Sequence, residues 1–355
     1  MQYTRLSATA RVDLSTPLHY FNKLADHFAE HGDVVRTERT GQIELGYGTA
    51  IIEADDKCLF LRAESDDETG LAYMKYAIAD HVIEFARKEE PKIIWAGHGA
   101  AGSLLPYFRE MRVLSAENIS PNMRRVRLRG KNMHRFSYGG MHVRILIPPA
   151  DIDAPQWPVT GEDGRPIWPQ GEMKLTPRVY TIRKIDPEAG EVDIDVVTHH
   201  GTPGSEWALG AIEGDIVGMT GPGGGDAGEA EWYLLAGDET ALPAIGRIIE
   251  RLPRDAKVVA RIEVDSRAEE QSFNSQCSLD LQWLHRNGAE AGTTTLLQDA
   301  VKTVRFPSND ERIFVWSGCE FNGFKAIRNY VRKDLKLERR QHLVVSYWRR
   351  GVAEE

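Results

Sequence analysis

The sequence predicts a multi-domain chain: a small α+β domain over residues 1–98, an antiparallel β-barrel over 106–228, and an α/β domain with a parallel sheet over 229–355. Three observations carry this reading. Residues 106–228 hold short strand-like runs bounded by turn residues, and no ten-residue helix fits between most of them. From residue 229 onward strand and helix patterns alternate, as in a parallel sheet covered by helices. The glycine cluster AGHGAAG at 96–102 has neither hydrophobic period nor bulk, so it reads as a linker at a domain boundary.

Taken in order, TPLHYFNKLADHFAEH and DETGLAYMKYAIADHVIEFARKEE have helical periodicity, and Gly32 and Pro91 supply the stop signals. Strand-like runs lie between them in GQIELGYGTAIIEADDKCLFLRAES. The barrel strands come next: FREMRVLSAENIS, NMRRVRLRG, HVRILIPP, RVYTIRKI, EVDIDVVTH and DIVGMTGP. Proline, tryptophan and acidic residues between Pro148 and Pro177 mark a long excursion before the fourth of these. The α/β part alternates EWYLLAGD, ALPAIGRIIERL, KVVARIEV, LDLQWLHRN, RIFVWSG, FNGFKAIRNYVRKDL and HLVVSYW. A chain of 355 residues has room for two or three such domains.

Composition excludes several classes. A formal charge of −9 and a pI near 5.7 argue against nucleic acid or an anionic membrane surface as partner. No 18-residue apolar run occurs and the first residues show no continuous apolar stretch, so the reading is cytoplasmic with no membrane insertion. Cys58, Cys277 and Cys319 are too scattered for a disulfide framework or a thiolate metal site. His27 and His31 are four apart on one helix face, and with His81 they could bind a metal. Packing is the commoner use of helix-borne histidines, so no metal is assigned.

The run TPRVYTIRKI, 176–185, fits an ordinary half-buried strand that buries Val179 and Ile182. The residues downstream of this strand support a second reading. RVYTIRKIDPEAGEVDIDVVTHHGTPGSEWALGAIEGDIVGMTGPGG, then WYLLAGDETALPAIGRIIERLP, then YWRRG resemble the siderophore-interacting protein family of ferric-siderophore reductases, flavoenzymes of ferredoxin-reductase-like layout. The resemblance covers roughly residues 106–351, and HYFNKLADHFAEH with AIADHVIEFARKE resembles an uncharacterised bacterial domain found fused to such reductases.

The resemblance implies flavin-dependent reduction of ferric siderophores, with FAD as cofactor and NADPH or NADH as donor. It also implies that Tyr180 packs on the isoalloxazine ring, Thr181 bonds near its reactive nitrogen and Arg178 meets the phosphates. The expectation is that strand alternation puts these three side chains on one face. The turn Gly201 to Trp207 is the expected pyrophosphate site, with Gly204 for close backbone approach, Ser205 opening a helix, and His199 and Trp207 flanking them. Gly221 and Gly223, in GPGGG, form a second close-approach loop. In the α/β part Asp238, Thr240 and Ala241 occupy the place of a nicotinamide cofactor, without the GxGxxG fingerprint, and Ser317 to Glu320 occupy the next strand end. Cys319 reads as buried and inert. Ser266 and Arg267 stand where a 2′-phosphate would bind, and a solvated loop fits them equally.

Charge is segregated by segment. Residues 121–144 contain seven Lys or Arg and no acid, and residues 321–350 contain nine against two. Lys325, Arg328, Arg332 and Lys336 form a stripe beside the apolar Ile327, Val331 and Leu335. With Arg349 and Arg350, these cations either draw in an anionic ferric chelate or form a solvated face. Three alternatives stay open: a non-catalytic siderophore carrier, a reductase for free flavin, and a ferredoxin partner.

Overall fold

The computed structural model describes residues 5–352 except 151, 153, 200 and 308–311. They divide into two compact units: Met1–Phe108 with Pro148–Leu175, and Arg109–Ile147 with Thr176–Glu355.

In the first unit the strands run Asp33–Arg36, Thr40–Leu45, Gly48–Ala54, Cys58–Ser65, Leu6–Asp13 and Ala96–Gly97 across one six-stranded sheet. Period-two alternation in Leu6–Asp13 buries Ala8, Ala10 and Val12. Those side chains share a core with residues of the two expected helices, Pro17–Phe28 and Glu68–Phe85. Asp67 starts the second helix, its carboxylate accepting the N–H groups of Thr69 and Gly70 at 2.8 Å each. The glycine cluster is more than a linker, because Ala96 and Gly97 pair with Thr9 and Ala8 as an edge strand. The excursion after Pro148 belongs to this unit and carries a hairpin, Val159–Thr160 against Pro166–Ile167.

His27, His31 and His81 do converge, with ring centroids 4.9 and 4.4 Å from His27, in tilted contact beside Phe28 and Phe85. Among the described residues no group of three or more His, Cys, Asp or Glu side chains could hold a metal.

The second unit opens with a closed barrel. Its strands are ordered Thr176–Asp186, Glu191–Val197, Met123–Arg129, Phe108–Ser120, Ile216–Gly223 and His142–Ile147, the last pairing with the first. Val126, Leu128, Ile145, Ile182 and Ile194 fill it. Outside, Arg125 and Arg127 grip Asp195 and Asp193 with forked bonds, and Arg129 meets Glu191. These pairings use three of the seven cations in the basic segment 121–144.

The α/β part is a five-stranded parallel sheet ordered Ser278–His285, Lys257–Val264, Trp232–Gly237, Ile313–Glu320 and His342–Trp348. Trp232–Gly237 is buried along its whole length, as a central parallel strand covered on both faces must be. Helix Leu242–Arg251 joins sheet to barrel. Arg183 forks to Glu250 at 2.6 and 2.7 Å, and buried Arg247 donates to the Ile182 carbonyl at 2.7 Å. No described helix is long and apolar enough to cross a membrane.

Candidate active site

The first cluster forms where the strand Thr176–Asp186 passes the helix Pro203–Gly210. A Cβ on Gly204 would lie 2.1 Å from the Tyr180 hydroxyl oxygen and 3.4 Å from Cγ of Arg178. The close approach at Gly204 is thus by Tyr180, with the Arg178 stem beside it. Trp207 faces Tyr180 with ring centroids 6.2 Å apart, and its indole N–H is buried with no partner among the described residues. Val179, between Arg178 and Tyr180, is 55% exposed, so it is not a core residue, whereas Ile182 is.

Thr181 corrects one expectation. One residue on from Tyr180 it occupies the opposite side of the pleat, so Arg178 and Tyr180 share a face and Thr181 does not. Its buried side chain meets Tyr347 of the last strand. The Tyr347 hydroxyl lies 2.6 Å from Nε2 of His142, the strand partner of Thr181. Burial raises the ionisation of Tyr347, which keeps the phenol protonated in this contact. Burial, with the nearby Arg247, pushes His142 down to about 4 and keeps it neutral.

The pyrophosphate turn is also reshaped. The helix opens at Pro203, not Ser205, whose hydroxyl oxygen accepts the His199 N–H at 2.8 Å. The Gly201 N–H donates to Glu206 at 3.0 Å. Ser205 therefore fixes the turn and faces inward. At the barrel's end a Cβ on Gly223 would meet nothing within 4 Å, leaving room for close approach there. Gly221, at φ +132°, abuts Val143 and the His142 carbonyl.

At the carboxyl edge of the sheet the acidic residues bind the protein itself. Oδ1 of Asp238 accepts the N–H and hydroxyl of Thr240, and Oδ2 accepts the Glu320 N–H at 2.9 Å and the Trp348 indole N–H at 2.8 Å. Burial and the neighbouring Glu239 push Asp238 up to about 6 against the pull of those donors. Glu320 accepts from the N–H groups of Asn322 and Arg350. Ala241 is fully buried. Asp238 and Glu320, both expected at the cofactor, have their carboxylates hydrogen-bonded within the protein. Cys319 is buried and its thiol pushed up by that burial. Arg267 is exposed and Ser266 half-buried.

The basic stripe is exposed along helix Phe321–Asn329 and the turn after it, with Ile327 and Val331 beneath. Lys325 and Arg349 both stand 4.8 Å from the Phe321 ring centroid, and Arg328 stands 5.5 Å from that of Phe324. Arg350 pairs with Glu290 at 3.0 Å, and Arg332 donates to His342. Lys336 lies beyond the helix with a left-handed backbone.

His142, Arg247 and Trp348 were not anticipated. The last sits in the YWRRG run, where only the arginines suggested chemistry; His142 has no motif around it.

The second unit is thus a closed antiparallel barrel leading into a parallel α/β sheet, with Tyr180 and Arg178 on one barrel strand, and its barrel matches an FAD-binding family. Residues 112–226 match the siderophore-interacting FAD-binding domain, residues 230–351 match the siderophore-interacting protein family, and residues 9–96 match a family described as an uncharacterized protein conserved in bacteria. The chain belongs to the siderophore-interacting protein family. Ferric vibriobactin reductase of Vibrio cholerae is 32% identical over 254 residues, 70% of this chain and 92% of that one. The NADPH-dependent ferric-chelate reductase of Escherichia coli is 28% identical, over 64% of this chain and 86% of that one. A siderophore utilization protein from T. fusca superposes with a TM-score of 0.63 at 37% identity, covering 72% of this chain and 97% of that one.

The barrel fits FAD on its own terms. Tyr180 offers an aromatic face, Arg178 a guanidinium on the same side, Trp207 an unpartnered buried N–H, and Gly223 open space.

Proposed function

We propose that the chain reduces iron(III) held in an anionic siderophore, with NADPH or NADH as electron donor. The observation that carries this is Tyr180 packed over Gly204 with Arg178 beside it, on a barrel joined to a parallel sheet. FAD, when bound, converts a two-electron hydride into single electrons. The chain's own residues bind and orient. Arg178 meets phosphate through forked donors, Tyr180 and Trp207 supply flat apolar faces, and His142 holds the Tyr347 hydroxyl beside Thr181.

The names of the Vibrio and Escherichia relatives support the substrate class, and the latter supports NADPH. Siderophores hold iron(III) through hard oxygen donors and iron(II) less well, so reduction releases the metal. Outer-sphere transfer asks for no iron ligand, only a surface that holds the chelate. Phe321 flanked by Lys325 and Arg349, with Arg328 over Phe324, is that surface: cations attract the anion and rings take its apolar parts. Such a reductase belongs in the cytoplasm, where NADPH is supplied. The test is anaerobic reduction of the FAD-loaded protein by NADPH, followed by reoxidation with a ferric siderophore. A colourless protein that cannot take up FAD would leave the site as a carrier.

A further inference from the structure

Residues 9–96 match an uncharacterized bacterial family and neither siderophore-interacting family model, yet their unit holds the excursion that interrupts the barrel. Thr176 pairs with Ile147, so residues 148–175 are a long insertion between two directly paired strands. Those strands are His142–Ile147 and Thr176–Asp186, in which Arg178 lies opposite Ile145 and Tyr180 opposite Val143. Left untethered, so long a connection would disfavour closing the pair next to it, because loop entropy opposes bringing its ends together.

The insertion is tethered at several points, all within the first unit. The Trp95 indole N–H donates to the Asp163 carbonyl at 2.9 Å, and its backbone N–H donates to the Glu162 carbonyl at 3.1 Å. Gly164, at φ +83°, turns so close to that site that a Cβ would lie 2.9 Å from Cβ of Lys75 and 3.2 Å from Nε1 of Trp95. Lys75 is buried, its ammonium donating to the Gly99 carbonyl at 2.7 Å and standing 5.9 Å from the Trp95 ring centroid. Gly102 and Thr160 exchange backbone bonds with their surroundings, Gly102 N–H to Thr160 O and Thr160 N–H to Ser103 O, at 2.8 Å each. Trp157 packs against Phe108 at 5.2 Å.

We propose that the N-terminal domain is a clamp on the insertion, and that Trp95, Lys75 and Gly164 are positioning residues for the strand pair that carries Arg178 and Tyr180. The role of that pair in binding FAD rests on the proposed reductase function. The fused domain is then part of how the barrel is held closed at its cofactor strand. This revises the bare linker read from AGHGAAG, which would let a chain starting near Ser103 work unaided. Such a chain keeps the insertion and loses its receptor.

The experiment compares the full-length wild type with Gly164→Ala and Trp95→Phe. Hydrogen exchange is followed over 148–175, over the strand segments 142–147 and 176–181, and over Trp232–Gly237 as an internal reference. FAD affinity is measured by fluorescence titration. Loss of one such hydrogen bond or a strained turn is expected to speed exchange in the insertion and in the paired strands, to leave Trp232–Gly237 unchanged, and to weaken FAD about tenfold. Faster exchange in the insertion with wild-type exchange in the strand pair and wild-type FAD affinity would overturn the clamp. So would variants whose insertion exchanges as slowly as before. If Gly164→Ala does not fold, Trp95→Phe alone decides, since it removes the indole donor and trims the ring while leaving the Gly164 turn unaltered. A wild type that binds no FAD would refute the proposed function, while the exchange data would still report on the clamp.

Discussion

The Tyr180 hydroxyl fills the space that a Cβ on Gly204 would need, leaving 2.1 Å between them. Gly204→Ala must therefore displace either the ring or the first turn of helix Pro203–Gly210. Overpacking of this kind typically costs about 1–3 kcal/mol. We expect a lower Tm and FAD binding weakened at least about tenfold. Tyr180→Phe removes the clashing oxygen and keeps the aromatic face, so the double variant should bind FAD better than Gly204→Ala alone. Additive losses in titrations of all three variants would show that the two residues do not meet as described.

Arg178, Tyr180 and Gly204 were each singled out in the sequence, but Gly204 was expected to let a pyrophosphate approach and it is Tyr180 that does so. Short strands followed by strand–helix alternation did mark the barrel and the parallel sheet. The failures have physical causes. Thr181 was placed with Arg178 and Tyr180, although a period of two puts neighbours on opposite faces. Asp238 and Glu320 were singled out at strand ends without the internal bonds that their carboxylates make. Sequence does not say that the Trp348 indole, 110 residues away, supplies one of the donors that fill Asp238. Three of the seven cations of 121–144, Arg125, Arg127 and Arg129, have their partners Asp195, Asp193 and Glu191 on the next strand of the barrel, a pairing that sequence alone does not show. The tether at Trp95 was invisible because a backbone carbonyl, Asp163, is its acceptor.

His142 should make stability depend on pH. Its folded value, about 4, lies below the ordinary 6.5 because of burial and Arg247, with Asp226 opposing. Between those values the unfolded chain binds the proton and the folded one resists it. Stability is therefore fully present above 6.5, falls as pH drops, and has lost at most on the order of 3 kcal/mol by pH 4. His142→Gln can still accept from Tyr347 and does not titrate. Thermal melts between pH 4 and 7 should show a shallower slope for the variant, and parallel slopes would contradict the assignment.

Asp238 should matter for structure more than for cofactor contact. Asparagine would set an amide donor against an N–H or a hydroxyl, leaving a buried donor unpaired at about 1–3 kcal/mol. Asp238→Asn should lower the Tm. Its effect should be non-additive with Trp348→Phe, since the two share one bond. Independent effects in a double-mutant cycle by denaturant unfolding would argue against the shared bond.

The Phe321 patch separates steering from a solvated face. Charge reversal at Lys325 and Arg349 should slow reduction of an anionic ferric siderophore much more than that of a neutral iron chelate. The difference should shrink with added salt, because charges beyond about 8 Å are largely screened at 0.15 M. Stopped-flow rates at low salt that are equal for wild type and the Lys325/Arg349 variant would return the patch to a solvated face.

The visible spectrum of the FAD-loaded protein under anaerobic conditions tests the central claim most directly. NADPH, or NADH if NADPH is not the donor, should bleach the oxidised flavin bands, and a ferric siderophore added afterwards should restore them as an iron(II) trap develops colour. Flavin bands that bleach and do not return with the ferric siderophore, with no iron(II) formed, would contradict the account.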